Sequence, residues 1–348
     1  MIRKILIISL LIITKATINS TFAGNEQRSG EAGASQLLIN PWAGSSGFAN
    51  SNMSSATGVE AMFLNVAGTA FVNKFDLGFS YTNYLQNSGV GINTIGFGTK
   101  AGDAGVISAS LVAMSFGDIP ITTVENPDGT GNTFRPTYNI ISAAYSRHFS
   151  NAIKGGAVLK VVNENISTVS STGVAIDAGI QYVTGLRDQF RFGVSMQNWG
   201  PTMRYRGEAL SYRAYTTEGL MLTFEHRSSE FELPTILRIG LSYDFELAPD
   251  HNLLLAGTYT SNSFTPDQYS LGLEYGIMNT VFVRGGYAYE KDIFKAAERL
   301  TFFTGLAAGL TVKLTLNKQK NSAFNVDYSY RATNPMGGFH AIGVRITI

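Results

Sequence analysis

The chain has 348 residues, with 26 Lys and Arg against 25 Asp and Glu, a formal net charge of +1 and no cysteine. The charge balance excludes the basic surplus with which nucleic-acid binders hold phosphates, so no nucleic-acid partner is expected. The missing thiols exclude disulfides, thiolate metal sites, cysteine nucleophiles and a lipid-anchored cysteine, while 37 Gly, 22 Phe and 16 Tyr favour strands and tight turns.

Residues 1–23 read as a signal peptide. Arg3 and Lys4 form a basic start, Ile5 to Ile13 an apolar run too short to span a bilayer, and Thr21-Phe22-Ala23 a small-residue cleavage site. No later stretch offers the roughly 20 apolar residues of a transmembrane helix. The expectation is export and a place in the outer membrane of a Gram-negative cell. Residues 24–74 follow, rich in Ser, Ala, Gly and Asn, with apolar patches at Leu37–Ile39 and Met62–Leu64 but no alternation. Such a segment is either a periplasmic tail or a plug inside a barrel, and its small residues with scattered apolar anchors favour the plug, a hatch segment preceding residues 75–348.

From residue 75 the pattern is strand after strand. In "FDLGFSYTNY", Phe75, Leu77, Phe79 and Tyr81 oppose Asp76, Gly78, Ser80 and Thr82, and the same period of two recurs along the chain. About fourteen strands are predicted, at 75–84, 91–99, 105–116, 138–149, 153–164, 173–183, 189–197, 236–247, 252–261, 268–276, 280–290, 304–316, 322–332 and 339–348. Their connections sort by end. The even gaps are all short, while several odd gaps are long, notably 117–137 and 198–235. Short periplasmic turns facing long extracellular loops are the pattern of an outer-membrane barrel. The predicted fold is all-β, a transmembrane antiparallel barrel of about fourteen strands with an N-terminal plug. The final strand, with Ile342, Val344, Ile346 and Ile348 on one face, would pair with the first and close the sheet, its apolar face toward outer-membrane lipid.

The opposite parity points inward and carries Lys160, Arg191, Arg238, Arg284, Lys313, Arg331 and Arg345 against Asp76, Asp177, Asp244, Glu246, Glu274, Glu290 and Asp327. A wide ion-selective pore could carry one sign of charge; this balance predicts paired side chains across a narrow or plugged interior. The 198–235 loop holds Trp199, Arg204, Tyr205, Arg206, Tyr212, Arg213 and Tyr215, the residue types enriched at binding hot spots. They mark either a partner surface or a lid packing on the barrel mouth. Ser146 and His148 share a strand face but sit beside the 150–152 turn, as rim residues. No nucleophile framework, phosphate loop or metal spacing is present, so the expected protein is not an enzyme and needs no cofactor.

The segment "SSGFANSNMSSATGVEAMFLNVAGTAF" resembles the N-terminal hatch of FadL-type outer-membrane proteins. Its Asn65-Val66-Ala67-Gly68 stands where the family has an Asn-Pro-Ala-Gly-like motif, without the proline. "GASQLLINPWAGSSG", which contains Asn40, Pro41 and Trp42, is similar to the PorV/PorQ family of Bacteroidota. So are "FLNVAGTAF", "GVAIDAGIQYVTG", "NWGPTM", "EFELPTILRIGLSYDF" and "LGLEYG". The resemblance implies a fourteen-stranded FadL-like barrel and a cargo-binding or accessory role in type IX protein secretion. The implied partners are the translocon or surface-attachment proteins and the C-terminal signal domains of secreted cargo. The FadL architecture alone implies a transporter of hydrophobic small molecules, and a third reading is a structural barrel subunit of another outer-membrane complex.

Overall fold

The computed structural model describes residues 26–86, 88–102, 105–317 and 322–348; the signal-peptide segment lies outside these residues. Fourteen antiparallel strands form one closed barrel. They are β1 (Phe75–Asn83), β2 (Gly91–Ala101), β3 (Gly105–Ser115), β4 (Thr137–His148), β5 (Ile153–Ile166), β6 (Val169–Thr184) and β7 (Phe190–Trp199), then β8 (Ile236–Ala248), β9 (His251–Asn262), β10 (Gln268–Ile277), β11 (Val281–Glu290), β12 (Phe303–Asn317), β13 (Ser322–Thr333) and β14 (Phe339–Thr347). Each strand pairs with its sequence neighbours, and β14 pairs with β1: Ile342 lies opposite Tyr81, Val344 opposite Phe79, Ile346 opposite Leu77. Ile348 and Phe75 exchange backbone bonds of 2.8 and 3.1 Å, so the seam is bonded to the last residue. Closure removes both sheet edges, which hydrocarbon requires because it offers an unpaired amide no partner.

The registers carry an apolar belt around the outside. Phe79 meets Ile95, Ile95 meets Leu111, Leu111 meets Ile141, and Ile141 meets Val161, all on the outer face and all exposed. An exposed apolar surface that encircles the molecule far exceeds what a water-soluble protein tolerates. It is a lipid-facing surface. Between Leu241 and Leu271 the belt dips at Gly257, where no outer side chain stands.

The ends sort as expected, with two differences. Residues 165–172, read as a loop, are mostly strand: β5 runs to Ile166 and β6 begins at Val169, with Ser167 at a φ of 55° in the turn. The segment Ser170-Ser171-Thr172 is small and polar on both faces, so it shows no apolar alternation although Ser171 is buried. Glu246, placed among the lumen charges, instead pairs with Arg187 at 3.1 Å by the opposite rim, both exposed.

Residues 34–72 fill the barrel, with residues 27–31 largely exposed ahead of them. The chain descends as 3-10 turns and two single-turn helices, α1 (Ala43–Ser46) and α2 (Ala61–Leu64), before joining β1 at the end with short turns. Trp42, 3% exposed, fits because the facing wall is bare: a Cβ on Gly78 or Gly96, opposite one another on β1 and β2, would stand 2.9 and 3.0 Å from its ring. On the other side of the lumen Gly286 of β11 meets the backbone directly, its would-be Cβ 2.3 Å from the Phe48 carbonyl oxygen.

Candidate functional site: the plugged lumen and its outer pocket

The hatch is bonded to the wall around most of the circumference. Ala43 N donates to Ser80 Oγ of β1 at 3.2 Å, and Thr69 Oγ1 to Ser146 Oγ of β4 at 2.6 Å. Asn65 Nδ2 donates to the Ile180 carbonyl of β6 at 3.0 Å, while its Oδ1 caps the following 3-10 turn by accepting from Ala67 N at 3.1 Å. Ser195 Oγ of β7 donates to the Leu64 carbonyl at 3.0 Å, Thr258 Oγ1 of β9 to Ser51 O at 2.7 Å, and Arg284 Nη1 of β11 to Gly44 O at 2.5 Å. Buried backbone groups need such partners, and the wall supplies them. Asn40 organises the entry to α1, accepting from Trp42 N at 3.0 Å and donating to Asn50 Oδ1 at 2.7 Å, with Pro41 buried between them. Gly68 has no room for a side chain, since its Cβ would lie 2.1 Å from the Ala56 carbonyl oxygen. The rim pair Ser146 and His148 also serves the hatch: His148 Nε2 lies 2.9 Å from the Ala70 carbonyl oxygen.

Inward charges form pairs across strands. Arg345 of β14 grips Asp76 of β1 with Nε at 2.8 Å and Nη2 at 2.7 Å, and Asp76 also accepts from Val59 N at 3.0 Å. Arg284 pairs with Glu274 at 2.8 Å, and Lys160 with Asp177 at 2.6 Å. Asn198 joins the last pair, its side-chain Oδ1 accepting from Lys160 Nζ at 2.9 Å and its backbone N–H donating to Asp177 Oδ1 at 2.8 Å. Its φ of 59° marks a bulge in β7, where the pairing with β6 shifts register before Trp199 meets Ile176.

That loop is two structures, and the residues expected to act together separate. Its base is a lid. Met203 and Phe231 bridge, the Gly33 amide bonds to Glu232 O at 3.1 Å, and Met203 and Leu233 pack with Ala34, Leu37, Ile140, Val162 and Ala175. Tyr205 belongs to this lid: its hydroxyl donates to Glu164, which also accepts from Gln36 at 2.7 Å, and burial, then that carboxylate, hold the phenol above its ordinary range. Arg204 pairs with Glu230 at 3.1 Å, and Arg206 joins a two-residue bridge to β6. Trp199 faces outward at the rim, 60% exposed. The tip is a free ribbon, Ser211–Tyr215 paired with Met221–Glu225, carrying Tyr212, Arg213 and Tyr215. Tyr212 stacks with Phe224 at 5.8 Å, and with Ala214 and Leu222 they form an apolar face open to solvent.

On the other side of the mouth, between β8 and β13, a cavity of about 270 Å³ lies above the hatch. Leu38, Ile39 and Asn50 form its floor; Tyr84, Phe302 and Phe303 give an aromatic wall; Pro266 and Leu300 come from the connecting loops. The rings interlock, Phe302 with Phe303 at 4.4 Å, and Tyr84 with Phe302 at 5.7 Å. Arg238, Glu290 and Arg331 supply its charges.

No protein-family model and no curated protein matches the sequence. Among solved structures, the CymD monoaromatic hydrocarbon channel superposes with a TM-score of 0.52 at 13% identity, over 89% of this chain and 97% of that one. The deltaS2 mutant of the TodX monoaromatic hydrocarbon channel gives 0.50 at 12% identity, over 83% and 93%. A Pseudomonas aeruginosa FadL homologue gives 0.49 at 11% identity, over 88% and 96%. The fold is that of the FadL-like outer-membrane barrels. Identity this low carries architecture alone, and fold does not fix cargo.

In this FadL-like barrel the outer pocket is what sequence reading missed. Arg238, Glu290 and Arg331 had the right parity, and Tyr84 ends the predicted strand 75–84 on that same inward parity, but Phe302 of the aromatic wall lies in the connection before β12, where alternation is silent. The one local sign was the doubled aromatic Phe302-Phe303 at a strand start.

Proposed function

We propose that this FadL-like barrel binds small apolar molecules at the cell surface and passes them through the outer membrane, without catalysis. The observation that carries the reading is the aromatic-walled cavity above a hatch sealed to the wall. An apolar pocket with a few convergent polar groups is the usual form of a small-molecule site, and about 150 Å³ suffices for a benzene ring, so 270 Å³ takes one ring with a substituent. Two of the similarly folded proteins are named as monoaromatic hydrocarbon channels, which supports the same ligand class. The test is equilibrium binding of radiolabelled toluene to the detergent-purified chain. Saturable binding weakened by Phe303→Ala is expected; partition no greater than into empty micelles would refute the reading.

A second reading, an accessory subunit of type IX secretion of the PorV/PorQ type, is favoured by the exposed ribbon. An isolated two-stranded ribbon is marginal in water, and Tyr212, Leu222 and Phe224 offer a partner an apolar face. The partner would be a translocon protein or a cargo C-terminal signal domain. Capture of such a domain by the wild-type chain, lost in a Tyr212→Ser/Phe224→Ser variant, is the expected result; equal capture by both would remove the ribbon from this role.

A further inference from the structure

Arg331 of β13 is the unusual group in the outer pocket. Its side chain lies on the Phe303 ring at 4.0 Å from the centroid, and 5.6 Å from that of Phe339, with only 7% of the residue exposed. Among the described residues it makes no hydrogen bond and no ion pair, whereas the lumen cations Lys160, Arg284 and Arg345 each have a carboxylate. Of the pocket's other charges, Arg238 donates to Gln197 and to the Phe63 carbonyl of the hatch at 3.3 Å, and Glu290 accepts from Gln268 of the same pocket at 2.8 Å through Oε2, its Oε1 being buried without a partner. A guanidinium cannot shed its proton to escape burial, and ring faces replace only part of its lost hydration. It therefore stands in the pocket as a planar donor without an acceptor.

We infer that the outer pocket takes a single-ring aromatic carboxylate, its ring against Phe302 and Phe303 and its carboxylate on Arg331. The volume admits one ring and a short substituent, and the fork geometry of Arg suits a carboxylate held by two parallel hydrogen bonds. Arg331 then selects the anion over the neutral hydrocarbon of the same shape. This rests on the proposal that the cavity receives small apolar molecules, and goes beyond it in assigning the ligand a charge.

The test compares phenylacetate, phenylacetamide and toluene by equilibrium dialysis against the full chain in detergent, with folding checked by the mobility of unheated protein on gels. Phenylacetate should bind at least about 10-fold more tightly than phenylacetamide, the range given by a charge-assisted bond. Arg331→Gln should lower phenylacetate affinity about 10- to 100-fold and leave phenylacetamide within about twofold, while Arg331→Lys keeps part of the preference. Equal affinity for acid and amide in the wild type overturns the inference, and that comparison needs no variant to fold. So does an acid preference that survives intact in folded Arg331→Gln. Toluene bound without acid preference defeats this inference alone, whereas no binding of any of the three defeats the small-molecule reading with it.

Discussion

The seam between β1 and β14 makes the strongest stability prediction. Asp76 is 2% exposed at its side chain and Arg345 17%, and they share two charge-assisted bonds of 2.8 and 2.7 Å across the closing pair. Asp76→Ala leaves the guanidinium without that partner, a loss of about 3–5 kcal/mol for a buried pair. It also orphans the Val59 amide, which otherwise donates to Asp76 at 3.0 Å, at a further cost of about 1–3 kcal/mol if water cannot reach it. Taking about 5 kcal/mol for the two together and a guanidinium slope of roughly 4 kcal/mol/M, the midpoint falls by about 1 M. Trp42 reports the transition, because Trp199→Phe leaves it the sole tryptophan of the two in the chain. The double variant Asp76→Ala/Arg345→Met removes both charges and should recover more than half of the loss, since the larger cost is the stranded cation. A midpoint unchanged by Asp76→Ala, or a double variant less stable than the single one, would refute this account of the seam.

Gly286→Val should dislodge the hatch, since even a Cβ there stands 2.3 Å from Phe48 O; ion conductance in planar bilayers should rise above the wild-type level. Val344→Arg, near the middle of β14 on the lipid face, should cost about 2–4 kcal/mol in folding titrations into vesicles. Asp177→Leu strands Lys160, with which it pairs at 2.6 Å, and should destabilise by about 3–5 kcal/mol, whereas Lys160→Met/Asp177→Leu should be markedly milder in the same titration. Tyr212→Ser/Phe224→Ser on the ribbon should leave the unfolding midpoint unmoved, within about 0.5 kcal/mol, while altering protein capture.

The barrel was legible because lipid and lumen impose opposite chemistry on alternate residues. Phe79, Val344 and Ile342 alternate with Ser80, Arg345 and Gly343, and only one register puts all the apolar members outside. The seam followed from an apolar last strand that needed a partner. The path of residues 26–73 was not legible, since it is set by fits between distant positions: the Trp42 ring against Gly78 and Gly96, the Phe48 backbone against Gly286. Neither fit leaves a period in the sequence. The 198–235 loop shows a related difficulty. Tyr205 and Tyr212 are seven positions apart and equally suited to a hot spot, yet one is consumed by Glu164 in the lid and the other stands in solvent.

Parity also cannot distinguish a paired charge from an unpaired one, because the partner lies on another strand or on none. Arg331 and Arg345 read alike in the sequence, and only the fold shows that Arg345 closes the barrel while Arg331 is left facing a cavity. The cavity lies on the β8–β13 side of the mouth, while the lid, whose loop enters β8 beside the cavity, packs its base over Ile140, Val162 and Ala175 of β4 to β6. Small-molecule binding and protein docking thus draw on different residues, Phe303 and Arg331 for one, Tyr212 and Phe224 for the other. Substituting each pair separately divides the two readings within a single folded barrel, and a protein that used both would lose them one at a time.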